Sequence, residues 1–215
     1  MNLISVSKKI TSSIILIFAI TQYTLAQNSP EAGKIIDAMQ SKYKNIPSFS
    51  AVFSYTSSGN QAFQGDITVK GQKFRLKMAG QEIYNNGKEV ATYIKETNEV
   101  NINDYEASED DLSPAKIYTF DKKSYKYVFI KELKEKNETF QIIELSPLKK
   151  GTKVTKVQIK VNKIDKTVKS WIITDKNKKT DSFVVSKFNA NAKVDDKFFS
   201  FDKTKYPKVE INDLR

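Results

Sequence analysis

Residues 48–78 read SFSAVFSYTSSGNQAFQGDITVKGQKFRLKM, and the alternation within them decides the fold. Phe49, Ala51, Phe53 and Tyr55 alternate with Ser48, Ser50, Ser54 and Thr56. Phe63, Gly65, Ile67 and Val69 alternate with Gln64, Asp66, Thr68 and Lys70, and Phe74, Leu76 and Met78 with Lys73, Arg75 and Lys77. Successive side chains of a strand point to opposite faces, so a period of two with one apolar side predicts half-buried antiparallel strands. Ser58-Gly59-Asn60 and Lys70-Gly71-Gln72 are hairpin breaks, and Asn85-Asn86-Gly87 predicts a tight primed turn because Asn-Gly tolerates positive φ. Strands continue through 88–95 and 99–103.

Upstream, Ser29 caps a helix, Pro30 fits its first turn and Glu31 suits its positive end. Ala32, Ile35, Ile36, Met39 and Tyr43 fall on one stripe at helical spacing, a face for core packing, and Ile46-Pro47 stops the helix. Downstream, Glu106, Glu109, Asp110 and Asp111 form an acidic patch. Ser113 and Pro114 then resemble a second helix start, with Ile117, Tyr118 and Phe120 as its apolar side.

Further strands are expected near 125–131, 139–145, 154–162, 168–174 and 181–188. The strand around Trp171 is apolar on both sides and is expected to be covered on both. A short strand over 198–201 precedes an extended tail through Tyr206-Pro207, and the sequon Asn137-Glu138-Thr139 reads as a turn. About eleven strands with two helical pieces predict a mainly β fold with α, an incomplete antiparallel β-barrel capped by helices. Such a body either packs its own side chains inside or encloses an apolar cavity. The pattern alone leaves both open.

The first 26 residues stand apart from that fold. Lys8 and Lys9 form a basic start, Ile14–Ile20 a short apolar run, and Thr24-Leu25-Ala26 supplies small residues for cleavage before Gln27. The run is shorter than the roughly 20 apolar residues that span a bilayer. Residues 1–26 are therefore expected to be a secretory signal peptide and residues 27–215 a single mature domain.

The chain holds no cysteine and no histidine. Disulfides, thiolate metal sites, imidazole ligands and a histidine base for a nucleophile are all excluded, and no cysteine is there to carry a lipid anchor. The formal net charge is +11, but lysines such as Lys156, Lys160, Lys163 and Lys169 are spread along strands and turns. Edge lysines discourage sheet-to-sheet aggregation, and with export and no nucleic-acid motif this argues against DNA or RNA.

Several local motifs carry a resemblance: Phe63-Gln64-Gly65-Asp66-Ile67, Asn86-Gly87-Lys88 running to Tyr93, Asn98-Glu99-Val100 and Asp111-Leu112-Ser113-Pro114. So does the end, Phe199-Ser200-Phe201-Asp202 to Tyr206-Pro207-Lys208-Val209-Glu210-Ile211. In this order and spacing the chain resembles the outer-membrane lipoprotein carriers of the LolA family, especially their Bacteroidetes-type branch. The sequence departs from the family pattern at Asn86 and Ala91, where an acid and a tryptophan are usual. It also has Gly71-Gln72 where well-studied members have an arginine and a proline that help hold the lid closed.

The resemblance implies a periplasmic carrier, without catalytic residues, metal or cofactor, whose apolar interior shelters the acyl chains of lipoproteins. Its implied partners are acylated lipoproteins, an inner-membrane ABC-type releasing complex, and an outer-membrane acceptor or the membrane surface; the carrier itself is expected to be a monomer. The expected cavity positions are Phe49, Phe53, Phe63, Ile67, Val69, Phe74, Leu76, Met78, Ile83, Val90 and Val100, under a lid helix bearing Leu112, Ile117, Tyr118 and Phe120. A LolA-like binding protein for another amphiphile, such as a glycolipid, is the alternative.

Two other classes fit less well. Glu106, Glu109 and Asp111 could form a carboxylate pair for acid–base work, but no apolar setting is evident to raise a pKa. An outer-membrane barrel needs a lipid-facing belt with aromatic girdles, and the helices and polar tail argue against it. Exported protein is expected to begin at Gln27 and to stay soluble without detergent. Intact-mass measurement checks this; a mass that retains residues 1–26 in a membrane fraction rules it out.

Overall fold

The computed structural model describes residues 28–106 and 112–215. The expected signal peptide, residues 1–26, and Glu109, Asp110 and Asp111 of the acidic patch lie outside the described residues. One helix, α1 (Pro30–Lys44), precedes six strands: β1 (Ser48–Ser57), β2 (Phe63–Lys70), β3 (Lys73–Met78), β4 (Gln81–Asn85), β5 (Glu89–Ile94) and β6 (Glu99–Asp104). Five long strands follow the segment 112–120: β7 (Tyr125–Glu135), β8 (Glu138–Pro147), β9 (Val154–Asn162), β10 (Val168–Asp175) and β11 (Thr180–Ala190). A short β12 (Glu210–Asp213) ends the chain.

All twelve strands join one sheet in the order β12-β6-β5-β4-β3-β2-β1-β11-β10-β9-β8-β7. The sheet is open, in keeping with an incomplete barrel under a cap. Its two runs of hairpins meet where β1 pairs antiparallel with β11 through a bulge at Val52/Phe53. The tail does more than extend: β12 adds to β6 as a parallel strand, pairing Ile211 with Val100. The stretch expected as a strand over 198–201 instead begins with a 3-10 turn, Asp196–Phe199, because the Asp195 carboxylate caps it through the Lys197 N–H.

The helix forms as its caps dictate. The Ser29 hydroxyl accepts the Ala32 N–H at 3.2 Å, and Ala32, Ile35, Ile36, Met39 and Tyr43 are all buried. Gly33 faces β7, where a Cβ would make ordinary contact with the Tyr127 ring at 3.4 Å. The Ser29 N–H donates to the Tyr127 carbonyl at 3.0 Å, tying the start of the helix to the edge strand. In the 85–89 turn only Gly87 takes positive φ, at 91°. Asn86 acts through its side chain, whose Oδ1 accepts the Lys88 and Glu89 N–H groups, so the glycine alone supplies the positive φ read from Asn-Gly.

Two apolar clusters lie on opposite faces of the sheet. The larger joins α1, the segment 112–120 and the inner-face residues of β1–β3 and β7–β11. The smaller holds Tyr84, Ala91, Tyr93 and Val100 against Phe201, Tyr206 and Val209 of the tail. The strand around Trp171 is covered on one face only: Trp171 is buried, whereas Ile172 on the other face is 37% exposed.

Gly65 marks the tightest packing in the sheet. A Cβ there would sit 2.5 Å from the Phe53 ring and 3.0 Å from the Lys77 carbonyl oxygen, and neither a buried ring nor backbone can move away cheaply. Gly65→Ala is expected to destabilise the fold by about 1–3 kcal/mol, the usual cost of overpacking, read as a lower urea midpoint at unchanged slope.

Candidate functional site

The inner face is assembled by strand register. Phe49 pairs with Val69 and Ala51 with Ile67; Val69 then pairs with Phe74 and Ile67 with Leu76, and Leu76 with Ile83. Across the other half, Trp171 pairs with Ile159 and Ile159 with Ile143. Because paired residues share a face, these side chains form one continuous apolar surface. Trp171 stacks on Phe183 at 4.5 Å with the planes 5° apart.

Segment 112–120 lies over this surface. It is a series of turns and not the expected lid helix: Lys116 and Ile117 both donate to the Ser113 carbonyl, and Thr119 donates to Lys116. Nine residues that begin with Leu112-Ser113-Pro114 are too few to offset the cost of helix nucleation, and side-chain burial holds the segment in its place. Leu112, Ala115, Ile117, Tyr118 and Phe120 are all buried. Tyr118 stacks on Tyr43 at 4.3 Å and meets Phe49 edge-on at 5.3 Å.

Polar contacts fasten the segment and its C-terminal flank. The Trp171 Nε1–H donates to the Leu112 carbonyl at 3.1 Å, a buried bond. Gln40 Nε2 donates to the Phe120 carbonyl at 2.7 Å, the exposed Lys116 ammonium donates to Gln72 Oε1 at 2.8 Å, and Lys122 pairs with Asp37. Gln72, one of the two residues standing in place of the family arginine and proline, thus does hold the closing segment, but as an acceptor for Lys116. Burial pushes the Tyr43 hydroxyl well above its usual range, so it stays a neutral acceptor for the Val168 N–H at 3.1 Å.

With the segment in place the interior is filled. The residual cavity among Tyr43, Phe53, Ile67, Ile117, Tyr118 and Trp171 measures about 20 Å³, room for about one water. The enclosed apolar cavity expected from the sequence is therefore shut in this conformation. Two grooves flank the plug. One of about 430 Å³ runs between the end of α1, the Gly71-Gln72 turn and Tyr118–Phe120. The other, about 370 Å³, lies between Leu112, Tyr125, Val154 and the loop after β8.

The predicted cavity positions separate on this frame. Phe49, Phe53, Ile67, Val69 and Leu76 are buried in the inner cluster, with Phe74, Met78 and Ile83 packed partly buried against it. Phe63 shares their face by register, but it stands at the strand end and is 46% exposed. Val90 faces inward opposite Asn85 and joins neither cluster. Val100 lies on the other face, in the outer cluster, because β6 turns its apolar side toward the C-terminal tail. Tyr43, Trp171, Phe183 and Phe188 line the interior and were not among the sequence-based candidates. The stripe on α1 and the apolar run around Trp171 were the signals that could have found them.

Arg75 takes no part in closing the interior. It lies on the outer face, where its Nη2 donates to Glu82 at 2.7 Å and to the Tyr84 hydroxyl at 2.9 Å. The Tyr206 hydroxyl meets that of Tyr84 at 2.5 Å and Glu82 at 3.2 Å, so the network pins the tail to β3 and β4. Partial burial works to raise the Glu82 pKa, but the bonds from Arg75 and Tyr84 and the Lys77 charge outweigh it and hold the carboxyl down at about 2.

This open, helix-capped sheet has counterparts among known proteins. The family described as outer membrane lipoprotein carrier protein LolA matches over residues 22–171, more than half of the chain. The chain belongs to that LolA family. Among solved structures, an uncharacterised conserved protein from Thermus thermophilus superposes with a TM-score of 0.60 at 11% identity, covering 85% of this chain and 99% of that one. A LolA superfamily protein from Nitrosomonas europaea gives 0.41 at 13% identity, covering 80% and 98%. A chain of the MucA/MucB complex from Pseudomonas aeruginosa gives 0.48 at 13%, covering 80% and 61%. No match was found among curated proteins.

The depressed Glu82 carboxyl stabilises the folded tail at every pH above its unfolded pKa, and that contribution is lost as pH falls towards about 2. Glu82→Gln is expected to lower the urea midpoint at pH 7 while differing little from the wild type near pH 2. Equilibrium unfolding at the two pH values measures the difference.

Proposed function

We propose that this protein is a periplasmic carrier that binds the acyl chains of lipoproteins and delivers them to the outer membrane, with no chemistry performed on the cargo. The observation that carries this reading is the plug. A continuous apolar inner face is occupied by Ile117, Tyr118 and Phe120 from a segment without regular secondary structure, a form of burial that can be exchanged. Each CH₂ taken from water contributes about 0.8 kcal/mol, so an acyl chain of membrane length carries more than about 10 kcal/mol. Withdrawing the plug would uncover apolar surface of the kind that cargo needs, and the chain would take the place of the displaced side chains.

The fastenings suit such exchange. Lys116–Gln72 and Lys122–Asp37 are exposed, and contacts of that kind contribute little. The bond from Trp171 to the Leu112 carbonyl is buried, and the one from Gln40 to the Phe120 carbonyl is partly so. Opening therefore begins at the Lys116–Phe120 end, beside the groove at Gly71-Gln72, and the Leu112 end acts as the hinge. In this reading the carrier accepts acylated lipoprotein from an inner-membrane ABC-type complex and works as a monomer.

Affinity capture is expected to recover acylated lipoproteins as one-to-one complexes. The same lipoprotein with its acylated cysteine changed to serine should not be captured, and equal capture of both would show that acyl chains are not what is recognised. A fluorescent acyl probe should also compete with the plug. Gln72→Ala, which removes the exposed fastening, is expected to tighten probe binding by a few-fold, while Ile67→Glu abolishes it by placing an unpaired charge against hydrocarbon.

A further inference from the structure

Two neighbouring hairpin tips concentrate charge that the sheet elsewhere disperses. The loop between β8 and β9 carries Lys149, Lys150 and Lys153, and the loop between β10 and β11 carries Lys176, Lys178 and Lys179; all six are exposed. The tips are joined, since the Lys176 N–H donates to the Lys153 carbonyl at 3.1 Å and the Lys176 ammonium donates to the Gly151 carbonyl at 3.1 Å. Lysines on the strands find carboxylates, as Lys160 does with Glu135 and Lys156 with Glu144. None of the six does so among the described residues. The nearby carboxylates are otherwise engaged: Asp175 accepts the backbone N–H groups of Asn177 and Lys179, and Asp181 accepts the Tyr55 hydroxyl.

Apolar surface sits within this basic patch. Leu148, directly before Lys149, is 60% exposed. The 370 Å³ groove has Leu112, Tyr125, Pro147 and Val154 along it and Lys149, Lys150 and Lys153 at its side. A water-facing tip needs neither an exposed leucine nor an apolar groove between its lysines. A leaflet of anionic lipid offers both complements at once, phosphates for the ammonium groups and hydrocarbon for Leu148 and the groove.

We propose that the paired tips are a docking surface for an anionic phospholipid leaflet. The inference rests on the carrier reading for its purpose, because a carrier must meet the membrane that gives or receives its cargo. Each lysine near an anionic surface contributes about fivefold to affinity, and the attraction is screened beyond about 10 Å at 0.1 M salt.

Flotation of the full mature chain with vesicles tests this. The protein should bind vesicles of phosphatidylglycerol mixed with phosphatidylcholine, lose binding as salt rises, and ignore phosphatidylcholine alone. K149E/K150E/K153E should weaken binding by roughly a hundredfold, the product of three such contributions. K176E/K178E/K179E on the other tip should do the same, should the first variant fail to fold. K131E/K134E/K136E, the same change of net charge on β7 and its turn, should leave binding intact. Equal loss in the control variant would assign the effect to net charge and overturn the proposal, as would indifference to phosphatidylglycerol. Displacement by inorganic phosphate at matched ionic strength would show a free-anion site instead and also overturn it. The acyl-probe assay is separate: leaflet binding without probe binding would refute the carrier reading and leave the docking surface standing.

Discussion

A sheet that buries one face without closing on itself must be covered by something else, and the rest of this structure follows from that constraint. The order of strands ends at β7 and β12 and never joins them. The backbone at the β7 edge is partly satisfied by residues before α1, through Ser29 and the Asn28 side chain to Tyr127. The inner face then needs apolar cover along its length. Helix α1 supplies part of it with a fixed stripe, tied down at both ends by its caps and by Tyr43 to Val168. Segment 112–120 supplies the remainder with side chains but hardly any backbone regularity. The cover is thus helical on one side and built of turns on the other.

The outer face shows the opposite solution. There the tail is held by an aromatic stack, with Phe201 4.9 Å from Tyr206 and Tyr206 4.3 Å from Tyr93. The hydrogen-bonded set of Arg75, Glu82, Tyr84 and Tyr206 and a parallel strand complete the hold. Such cover has several independent attachments, charged groups among them, and gives up little on its own. In the carrier reading the molecule therefore has one permanent core and one negotiable one, separated by the thickness of a single sheet. Arg75 belongs to the outer face, and the inner cover is fastened by Trp171, Gln40, Gln72 and Asp37 instead.

Most of this architecture was legible in the residues. Strands β1–β3 announce themselves because every second residue is apolar and every turn has its own chemistry, and the capped stripe on α1 is read correctly to the residue. Legibility fails where a local pattern does not say which face will be covered. In β3 the apolar set of Phe74, Leu76 and Met78 points inward, but by β6 the apolar set of Val100 and Ile102 points outward. The change passes through β4, where Ile83 and Tyr84 serve one face each. Only the tail, more than a hundred residues later in sequence, decides it. Segment 112–120 misleads for a different reason. Its Ser-Pro start and apolar spacing satisfy the signals of a helix, but tertiary burial of Leu112, Ile117 and Phe120 fixes the chain before a helix has length enough to form.

In the carrier reading proposed above, the plug is subject to a balance that a permanent core escapes. If the plug packed poorly, the empty protein would expose apolar surface and aggregate; if it packed as well as a finished core, no cargo could displace it. The contacts strike an intermediate position. Tyr118 is stacked and Trp171 is hydrogen-bonded to Leu112, but a cavity of about 20 Å³ remains beneath Ile117 and Tyr118, and grooves lie open at both ends of the segment. The aromatic residues set the energy of the closed state, while the turns that carry them let it be given up without unravelling any strand of the sheet.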